Sequence, residues 1–274
     1  MLIKPDNHPD LQKALTLNRR PSRPGALSAS LTFGWRALLK IKYVPEQLFD
    51  ITAFPIMFLL MFTYLFGGAI AGSTGEYLNF VLPGILVMSV SMITMYTGLD
   101  LNKDIQKGIF DRFRTLPFWR PAALVGALLA DTLRYSAASA IMIGLGYLLG
   151  FRPENGLGGL ALGVLLLLVF AFSLSWIWTF LSLVVRSEKS LMGISMMVLF
   201  PLTFLSSVFV DTTTMPKWLQ YLVDVNPVTL VVNSVRELSH GSVTSGQLIA
   251  VFAVSAAFVV IFAPLTMYYY NRKK

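Results

Sequence analysis

The chain has 274 residues, of which 55% are hydrophobic and only 13% are charged, and its formal net charge is +8. A soluble domain carries about 25% charged residues, so the polar surface is too small to cover a globule, and disorder is excluded because it requires low hydrophobicity. The absence of cysteine excludes disulfides, thiolate nucleophiles and iron–sulfur clusters. The composition indicates an integral membrane protein.

Long uncharged runs predict an all-α membrane domain, residues 51–274, with six transmembrane helices. A spanning helix needs about 20 apolar residues, and backbone groups in lipid must be satisfied within their own segment. The runs are too long and too uniformly apolar for the strands of an outer-membrane barrel. We place the predicted spans at residues 51–71, 78–99, 124–150, 157–185, 190–210 and 247–270.

The basic residues predict the orientation, because lysine and arginine concentrate on the cytoplasmic side of a membrane. Eighteen of them fall in segments 1–50, 100–120, 186–189 and 272–274, and three fall on the opposite side. Both termini are therefore predicted to be cytoplasmic, in a multi-pass protein of the plasma (inner) membrane. The positive charge then reflects topology and contact with anionic lipids, and no nucleic-acid partner is expected.

The cytoplasmic segment 1–50 is predicted to contain an amphipathic helix over residues 27–43. Leu31 and Trp35 share its apolar face, and Arg36 and Lys40 lie opposite. Such a helix lies in the membrane interface. It is either a passive anchor or an element that contacts a cytoplasmic partner.

The loop after the second span has the pattern of a further amphipathic helix, over about residues 103–117. Ile105, Ile109 and Phe113 recur at helical spacing, and the charged side chains lie on the other side. A surface of mixed charge favours docking of a soluble protein, and a solvated interfacial helix is the alternative. The candidate docking residues are Lys103, Lys107, Gly108, Asp111, Arg112, Phe113 and Arg114.

The outer segment before the last span, about residues 212–240, is apolar but too short in each part to span. Asn226 and Pro227 are typical of an N-cap and the first residue of a helix. The segment predicts a re-entrant helical hairpin, as a structural cap or an exit gate. Arg236 is expected to be partly buried and paired with Glu237.

Two further charges, Asp131 and Arg134, fall within the third predicted span. Three residues apart, they share one helical face. Charged residues inside a membrane are candidates for function. The alternative is a structural pair near the cytoplasmic end of the span.

Catalytic, cofactor and metal sites are not predicted. The sequence has no Gly-Lys pair and hence no phosphate-binding loop, and its two histidines, His8 and His240, are predicted on opposite sides of the membrane. Energy for active transport must therefore come from an ion gradient or from a separate ATPase.

The loop Lys-Gly-Ile-Phe-Asp-Arg-Phe-Arg-Thr-Leu-Pro, residues 107–117, resembles the signature of type-two ABC exporter permeases. The resemblance is strongest to the daunorubicin-resistance permease group, whose members share Asp-Arg-Phe-Arg-(Ser/Thr)-Leu-Pro and an Ala-Asp-x-x-Arg stretch, here residues 130–134. Asn226-Pro227, with Arg236 and Gly241, resembles the second marker of that family.

The resemblance implies a permease that works as a dimer, with a second copy or a sibling permease, and with a cytoplasmic ABC ATPase subunit that holds ATP and Mg. Residues 103–117 would be the coupling helix on that ATPase, residues 27–43 the connecting helix, and residues 212–240 the outer re-entrant hairpin. The chain itself would bind no nucleotide.

The expected activity is export of a hydrophobic or amphipathic, antibiotic-like compound. Export of a lipid, glycolipid or polysaccharide is the nearest alternative. A gradient-driven transporter or a channel is less well supported, since Asp131 is the only carboxylate near mid-membrane and Arg134 accompanies it. A membrane enzyme is disfavoured by the missing nucleophile, base and metal constellations.

Overall fold

The computed structural model describes residues 25–42, 45–108, 122–241 and 244–272, and every regular element within these residues is helical. A π-helical turn spans Phe62–Phe66, and a 3-10 turn spans Thr212–Thr214. The α-helices in chain order are α1 (Ala26–Lys42), α2 (Pro45–Met61), α3 (Gly67–Ala71), α4 (Thr74–Ile93), α5 (Met95–Gln106), α6 (Ala122–Leu149), α7 (Gly156–Val184), α8 (Glu188–Phe204), α9 (Lys217–Asp224), α10 (Pro227–His240) and α11 (Ser245–Arg272).

Four helical stretches among the described residues are long and apolar enough to cross a membrane. They are Ala53–Ala71, Thr74–Gln106, Gly156–Val184 and Ser245–Tyr270, and they correspond to the first, second, fourth and sixth predicted spans. The other two predicted spans coincide with α6 and α8. Helix α6 has 28 residues but carries two charges, and α8 has only 17 residues. Six spans therefore stay a prediction.

Helix α7 lies at the centre of the bundle and packs against α5, α6, α10 and α11. Its approach to α5 requires a glycine, because a Cβ on Gly98 would lie 2.5 Å from the carbonyl oxygen of Trp178. The hydroxyl of Tyr135, on α6, forms a buried hydrogen bond of 2.8 Å with Ser175 on α7. The three central helices are thus fixed to one another inside the bundle.

The long helix formed by α4 and α5 is interrupted at Thr94. The hydroxyl of Thr94 donates to the carbonyl of Ser91 at 2.6 Å and accepts the indole N–H of Trp178 at 2.8 Å. A hydroxyl that bonds to its own helix in this way bends helices. Residues on both sides of Thr94 line a cavity, so a change in helix direction at this point would alter the shape of that cavity.

Helix α1 agrees with the predicted amphipathic helix and lies along α6. The two backbones touch where both sides carry glycine: a Cβ on Gly126 would lie 2.5 Å from the carbonyl oxygen of Ser30. Leu31 and Trp35 point away from α6 and are 66% and 65% exposed. An exposed apolar face of this kind fits a helix that lies in the membrane interface.

The start of the predicted coupling helix differs from the prediction. Lys103 belongs to the last turn of α5, which ends at Gln106. Lys107 and Gly108 form a turn, and Gly108 has φ +65°, a conformation that favours glycine. The amphipathic periodicity that starts at residue 103 therefore does not belong to one continuous helix. The rest of the predicted coupling helix, from residue 109 onwards, lies outside the described residues.

Candidate functional site: a methionine-lined cavity between two polar junctions

A cavity of about 200 Å³ lies between α2, the interruption of α4 and α5, and α8. We call it the methionine cavity, because half of its lining residues are methionines. The remaining walls are aromatic, aliphatic and proline side chains with one serine. The lining residues are Phe54, Pro55, Met88, Ser89, Met92, Ile93, Met95, Tyr96, Met192 and Met196.

The methionines are strongly concentrated on this side of the bundle. Eight of the 12 methionines in the chain lie on α2, α4, α5 and α8. Several are also exposed on the surface around the cavity, including Met57 at 52% and Met197 at 79%. By contrast, the opposite side, formed by α6, α7 and α11, is built mainly of leucine, valine, alanine and phenylalanine.

This composition determines what the methionine cavity can bind. Methionine is unbranched and polarizable, so it adapts to differently shaped ligands and makes favourable contacts with aromatic rings. The cavity presents Phe54 and Tyr96 beside these thioethers and includes no charged residue in its lining. It therefore suits the apolar or aromatic part of a ligand and offers no charged partner for an ionic group.

The end of the bundle that the sequence predicts to be cytoplasmic is joined through residues 100–106 of α5, which we call the cytoplasmic junction. Arg134, on α6, is 5% exposed, and its Nη2 lies 3.3 Å from Asp100 Oδ2 and 3.3 Å from Asp131 Oδ1. The pair expected within one helix is thus a cluster of three charges on two helices. Since burying a charge without a partner is costly, the two carboxylates stabilise the arginine at this depth.

The same junction also contacts α7 and α8. Asn102 donates from Nδ2 to the carbonyl oxygens of Ser182 and Val185 at 3.0 and 2.9 Å, where α7 ends. Lys103 Nζ lies 2.8 Å from Glu188 Oε1, at the start of α8. Within the span of two turns of α5, therefore, polar contacts connect it with α6, α7 and α8.

Helix α1 is also connected to this junction. The guanidinium of Arg36 lies 3.9 Å from Asp104, and both side chains are partly exposed. An exposed ion pair at this distance contributes little stability. It nevertheless places the basic face of α1 beside the end of α5, where the predicted coupling segment begins.

The end of the bundle that the sequence predicts to be outer is joined through Arg236 of α10, in what we call the outer junction. Its Nε donates to the carbonyl of Phe80 at 3.1 Å, and its Nη2 donates to the carbonyl of Ser207 at 2.9 Å. The guanidinium also stacks on the ring of Phe80, 3.8 Å from the ring centroid. One side chain therefore connects α10 with α4 and with the segment that follows α8.

The structure corrects the expected pairing of Arg236 with Glu237. The two form no ion pair among the described residues, and Glu237 instead accepts a hydrogen bond from Gln247 of α11 at 2.8 Å. Adjacent helical residues point about 100° apart, so Glu237 faces α11 while Arg236 faces α4. The carbonyl acceptors of Arg236 lie far from it in the sequence, and the partner of Glu237 lies on the next helix.

The predicted cap of α10 is confirmed. Asn226 Oδ1 accepts the N–H of Val228 at 2.9 Å, and Pro227 is the first helical residue. The contacts of the amide nitrogen were not predicted. Asn226 Nδ2 donates to the carbonyl oxygens of Leu202 and Leu205 at 2.8 and 2.6 Å. Asn226 thus caps one helix and binds the C-terminal end of α8.

Helix α9 and the residue that follows it have an exposed apolar stripe. Trp218, Tyr221, Leu222 and Val225 lie at helical spacing and are between 59% and 81% exposed. Tryptophan and tyrosine concentrate at membrane–water interfaces. In the turn before α9, hydrogen bonds from the backbone N–H and the hydroxyl of Thr213 lower the pKa of the Asp211 carboxyl below its ordinary value.

Some predicted site residues lie outside the described part of the chain. They are Asp111, Arg112, Phe113 and Arg114 of the coupling segment, and the side chain of Lys40 also lies outside it. Lys107 is exposed and Gly108 is partly buried, at the turn that ends α5. Among the described residues, no group of three or more histidine, aspartate or glutamate side chains could hold a metal ion.

Comparison with known proteins settles the family. Residues 29–240 match the ABC-2 type transporter family, a match that includes α1, the cytoplasmic junction, the methionine cavity and α10. The chain belongs to the ABC-2 type transporter family. It is thus a multi-pass membrane protein and the permease component of an ABC transporter.

Two relatives extend this comparison over nearly the whole chain. The daunorubicin resistance ABC transporter permease protein of Streptomyces coeruleorubidus is 51% identical over 263 residues, which cover 96% of this chain and 93% of that protein. A probable doxorubicin resistance ABC transporter permease protein of Mycobacterium tuberculosis is 23% identical over 261 residues, 91% of this chain and 94% of that protein. The resemblance inferred from the loop and from Ala130–Arg134 is confirmed.

Several residues of the site were missed by sequence reasoning. Asp100 is the second carboxylate at Arg134, and Asn102 and Glu188 complete the cytoplasmic junction. The concentration of methionines in the first, second and fifth predicted spans was the signal for the cavity, because methionine is an infrequent residue. For Phe80 and Ser207 as partners of Arg236 no signal existed, since backbone carbonyls accept its hydrogen bonds there; its third acceptor is Asn233 Oδ1, one turn earlier in α10, at 3.4 Å.

Proposed function

We propose that this chain is the membrane half of an ATP-driven exporter of hydrophobic or amphipathic, drug-like compounds. The observation that carries the proposal is the 51% identity with a daunorubicin resistance permease across 96% of the chain. The methionine cavity supports it, because its walls suit aromatic and apolar molecules and include no charge. Daunorubicin is accordingly the first compound to test.

The proposed architecture has six spans, with α6 and α8 as the third and fifth, and both termini in the cytoplasm. Two such chains, or this chain and a sibling permease, would enclose the pathway. The charge distribution of the sequence supports the orientation. The exposed Leu31 and Trp35 support an interfacial position of α1.

A separate cytoplasmic ABC ATPase would supply the energy and would hold ATP and Mg. We propose that it docks on the coupling segment, residues 103–117, and on the basic face of α1. The contact between Arg36 and Asp104 supports this, because it brings these two elements together at one place. Closure of two ATPases would then move this end of the bundle as a rigid body.

The route from the ATPase to the substrate would follow α5. Its C-terminal end forms the cytoplasmic junction, and its N-terminal end, at Met95 and Tyr96, lines the methionine cavity. The interruption at Thr94 separates α5 from α4, which is held at the outer junction through Phe80. Displacement of α5 against α4 would therefore change the shape of the cavity.

The proposal is tested by export of daunorubicin from cells that express the chain together with the ATPase subunit that co-purifies with it. In M196W the larger side chain would occupy the cavity, whereas in M197W it would replace the neighbouring, 79% exposed residue. We expect M196W to lose export while both variants insert and bind the ATPase equally. Loss of export by M196W would then result from loss of substrate binding and not from a failure to insert or to bind the ATPase.

Two results would contradict the proposal. Daunorubicin retention that is the same with and without the chain would exclude this substrate class, and ATP-dependent appearance of a labelled lipid or glycolipid in the outer leaflet would then assign the alternative. Equal export by M196W and the unmodified chain would exclude the methionine cavity as the binding site.

A further inference from the structure

A second, larger recess lies on the opposite side of the bundle from the methionine cavity. It is a groove of about 640 Å³ between α6, α7 and α11. Its floor is formed by α7, and its walls are α6 and α11, whose backbones do not approach each other closely among the described residues. The two outer helices are thus separated by an open space that follows the central helix.

The groove lies near the middle of the membrane-spanning region. Its lining runs from Phe252 to Val260 on α11 and from Leu165 to Ser173 on α7. At 1.5 Å per residue, these stretches lie within about 10 Å of the midpoints of their helices. Because α11 is about 42 Å long by the same rise and the hydrocarbon core is about 30 Å thick, the groove lies at the depth of lipid tails.

The walls offer an ionic ligand no charge, and among the described residues they offer water a single unpaired group, the hydroxyl of Ser255. None of the lining residues is charged, and the hydroxyls of Thr132 and Ser173 donate to carbonyls of their own helices at 3.0 and 2.8 Å. A cavity must provide water with two to four polar partners if it is to be hydrated. The groove therefore takes hydrocarbon.

The surface around the groove identifies where that hydrocarbon comes from. Only 11% of the apolar window of α11 is buried inside the bundle, so this helix presents most of its surface to its surroundings. The groove is continuous with this surface, since its rim residues Val169 and Val260 are 41% and 70% exposed. In a membrane protein, the molecules that cover such a surface are lipids.

We infer that the α6–α7–α11 groove is a binding site for the acyl chain of a membrane phospholipid. The acyl chain fills the space between α6 and α11 and makes dispersion contacts with both walls along the groove. Ser255 and Ala256, the small residues on the α11 wall, leave the space for it. The inference rests on the membrane family and does not depend on which compound is exported.

The experiment uses the full chain with its co-purifying ATPase, reconstituted in phosphatidylethanolamine and phosphatidylglycerol vesicles. The probe is a phosphatidylglycerol with a diazirine near the end of one acyl chain, and mass spectrometry maps the adducts after irradiation. We expect adducts at Val169 to exceed those at Ile261, an exposed α11 residue that does not line the groove. A site that holds one chain is thereby distinguished from general contact with lipid.

A matched pair of variants tests the groove itself. A256L fills it, and A257L adds the same side chain at the neighbouring residue, which is exposed and outside the lining. A256L should lower the adducts at Val169 about tenfold, the loss expected when one or two buried methylene contacts are removed. A257L should leave them unchanged, and equal elution volumes establish that both variants fold.

The remaining outcomes would overturn the inference. Adducts spread evenly over α11 in all three proteins would mean that no site exists, and an absence of adducts along the groove would mean that another protein surface covers it. Displacement of the probe by daunorubicin would make the groove a drug site. The buried hydroxyl of Ser255 has no hydrogen-bond partner among the described residues, so loss of adducts in S255A would indicate a polar ligand.

Discussion

Arg134 and Arg236 are both largely buried, but the first is balanced by two carboxylates and the second by backbone carbonyl oxygens. Arg134 lies 3.3 Å from Asp100 and 3.3 Å from Asp131 at the cytoplasmic end. Arg236 donates to the carbonyls of Phe80 and Ser207 and stacks on the Phe80 ring at the outer end. The two ends of the bundle are therefore held together by different kinds of interaction.

The difference matters because the two interactions respond differently to movement. Attraction between charges changes gradually with distance, so a cluster of ion pairs tolerates sliding of one helix against another. Hydrogen bonds to carbonyl oxygens weaken steeply when their angle changes. We infer that the ion-pair cluster at Arg134 lets α5 and α6 move against each other, while the outer junction keeps α4, α10 and the end of α8 together.

The largest effect is expected for loss of the outer arginine. R236A removes the charge-assisted hydrogen bonds to the carbonyls of Phe80 and Ser207, which should cost on the order of 2–5 kcal/mol of folding free energy. Intrinsic tryptophan fluorescence on heating measures the loss. The control is R152A: Arg152 also donates to carbonyls and lies beside the ring of Tyr147, but it is exposed, so its loss should be small. Equal effects of both substitutions would contradict the comparison.

Loss of Arg134, the arginine of the cytoplasmic junction, should destabilise the protein by a similar amount. R134L removes the cation that Asp100 and Asp131 share, and breaking a buried pair of this kind costs about 3–5 kcal/mol. D131N should cost less because Asp100 still contacts the arginine. The measurement is again thermal unfolding of the purified protein.

Because Asp100 also contacts Arg134, exchanging Asp131 and Arg134 should have a different result from exchanging an isolated ion pair. In a simple pair, the exchange D131R/R134D would restore stability. Here it would place an aspartate beside Asp100, so we expect only partial recovery. Full recovery would show that Asp100 contributes nothing.

The contact between α5 and α8 should affect coupling more than stability. Lys103 and Glu188 are 33% and 39% exposed, and pairs of this type contribute about 0.2–1 kcal/mol. K103E should therefore leave the unfolding temperature nearly unchanged but lower the amount of compound exported per ATP hydrolysed. The double exchange K103E/E188K should restore that ratio. Lack of recovery would mean that the two charges act separately.

The smallest effect is a pH dependence at the outer surface. Hydrogen bonds to the charged form lower the pKa of Asp211 in the folded protein, so its stabilisation is present above the ordinary pKa and is lost as the pH falls through the lowered value. D211N should slightly lower the unfolding temperature at pH 7. At a pH below the lowered pKa, the difference between D211N and the unmodified protein should vanish.

Much of the fold could be predicted because the constraints are local. A lipid environment forces uncharged runs into helices, and four of the six predicted spans satisfy length and composition in the structure. The cap at Asn226 and Pro227 and the exposed face of α1 at Leu31 and Trp35 follow from chemistry within a few residues. These features depend on no distant partner.

The remainder depends on contacts between distant segments. Asp100 lies 34 residues from Arg134, and the carbonyl of Phe80 lies 156 residues from Arg236. A backbone carbonyl is the same in every residue, so sequence gives no indication of which one will accept. The expected pairing of Arg236 with Glu237 was wrong for this reason. The sequence shows which residues are adjacent along the chain but not which ones meet in the folded protein.

The end of α5 illustrates a third limit. The apolar periodicity from Ile105 onwards predicts one helix over 103–117, but Gly108 adopts φ +65° and ends the helix before it. Periodicity describes faces and does not detect a turn within the pattern. Lys103 therefore belongs to the membrane helix, and this makes α5 the direct connection between the coupling segment and the cavity.

The measurement that tests the account most directly is daunorubicin uptake into inside-out vesicles that contain this chain with or without its ATPase subunit. The account predicts uptake only when the ATPase and Mg-ATP are present, and no effect of an ionophore that collapses the proton gradient. Uptake by vesicles that contain the chain alone, driven by an imposed proton gradient, would contradict it and would make the chain a secondary transporter.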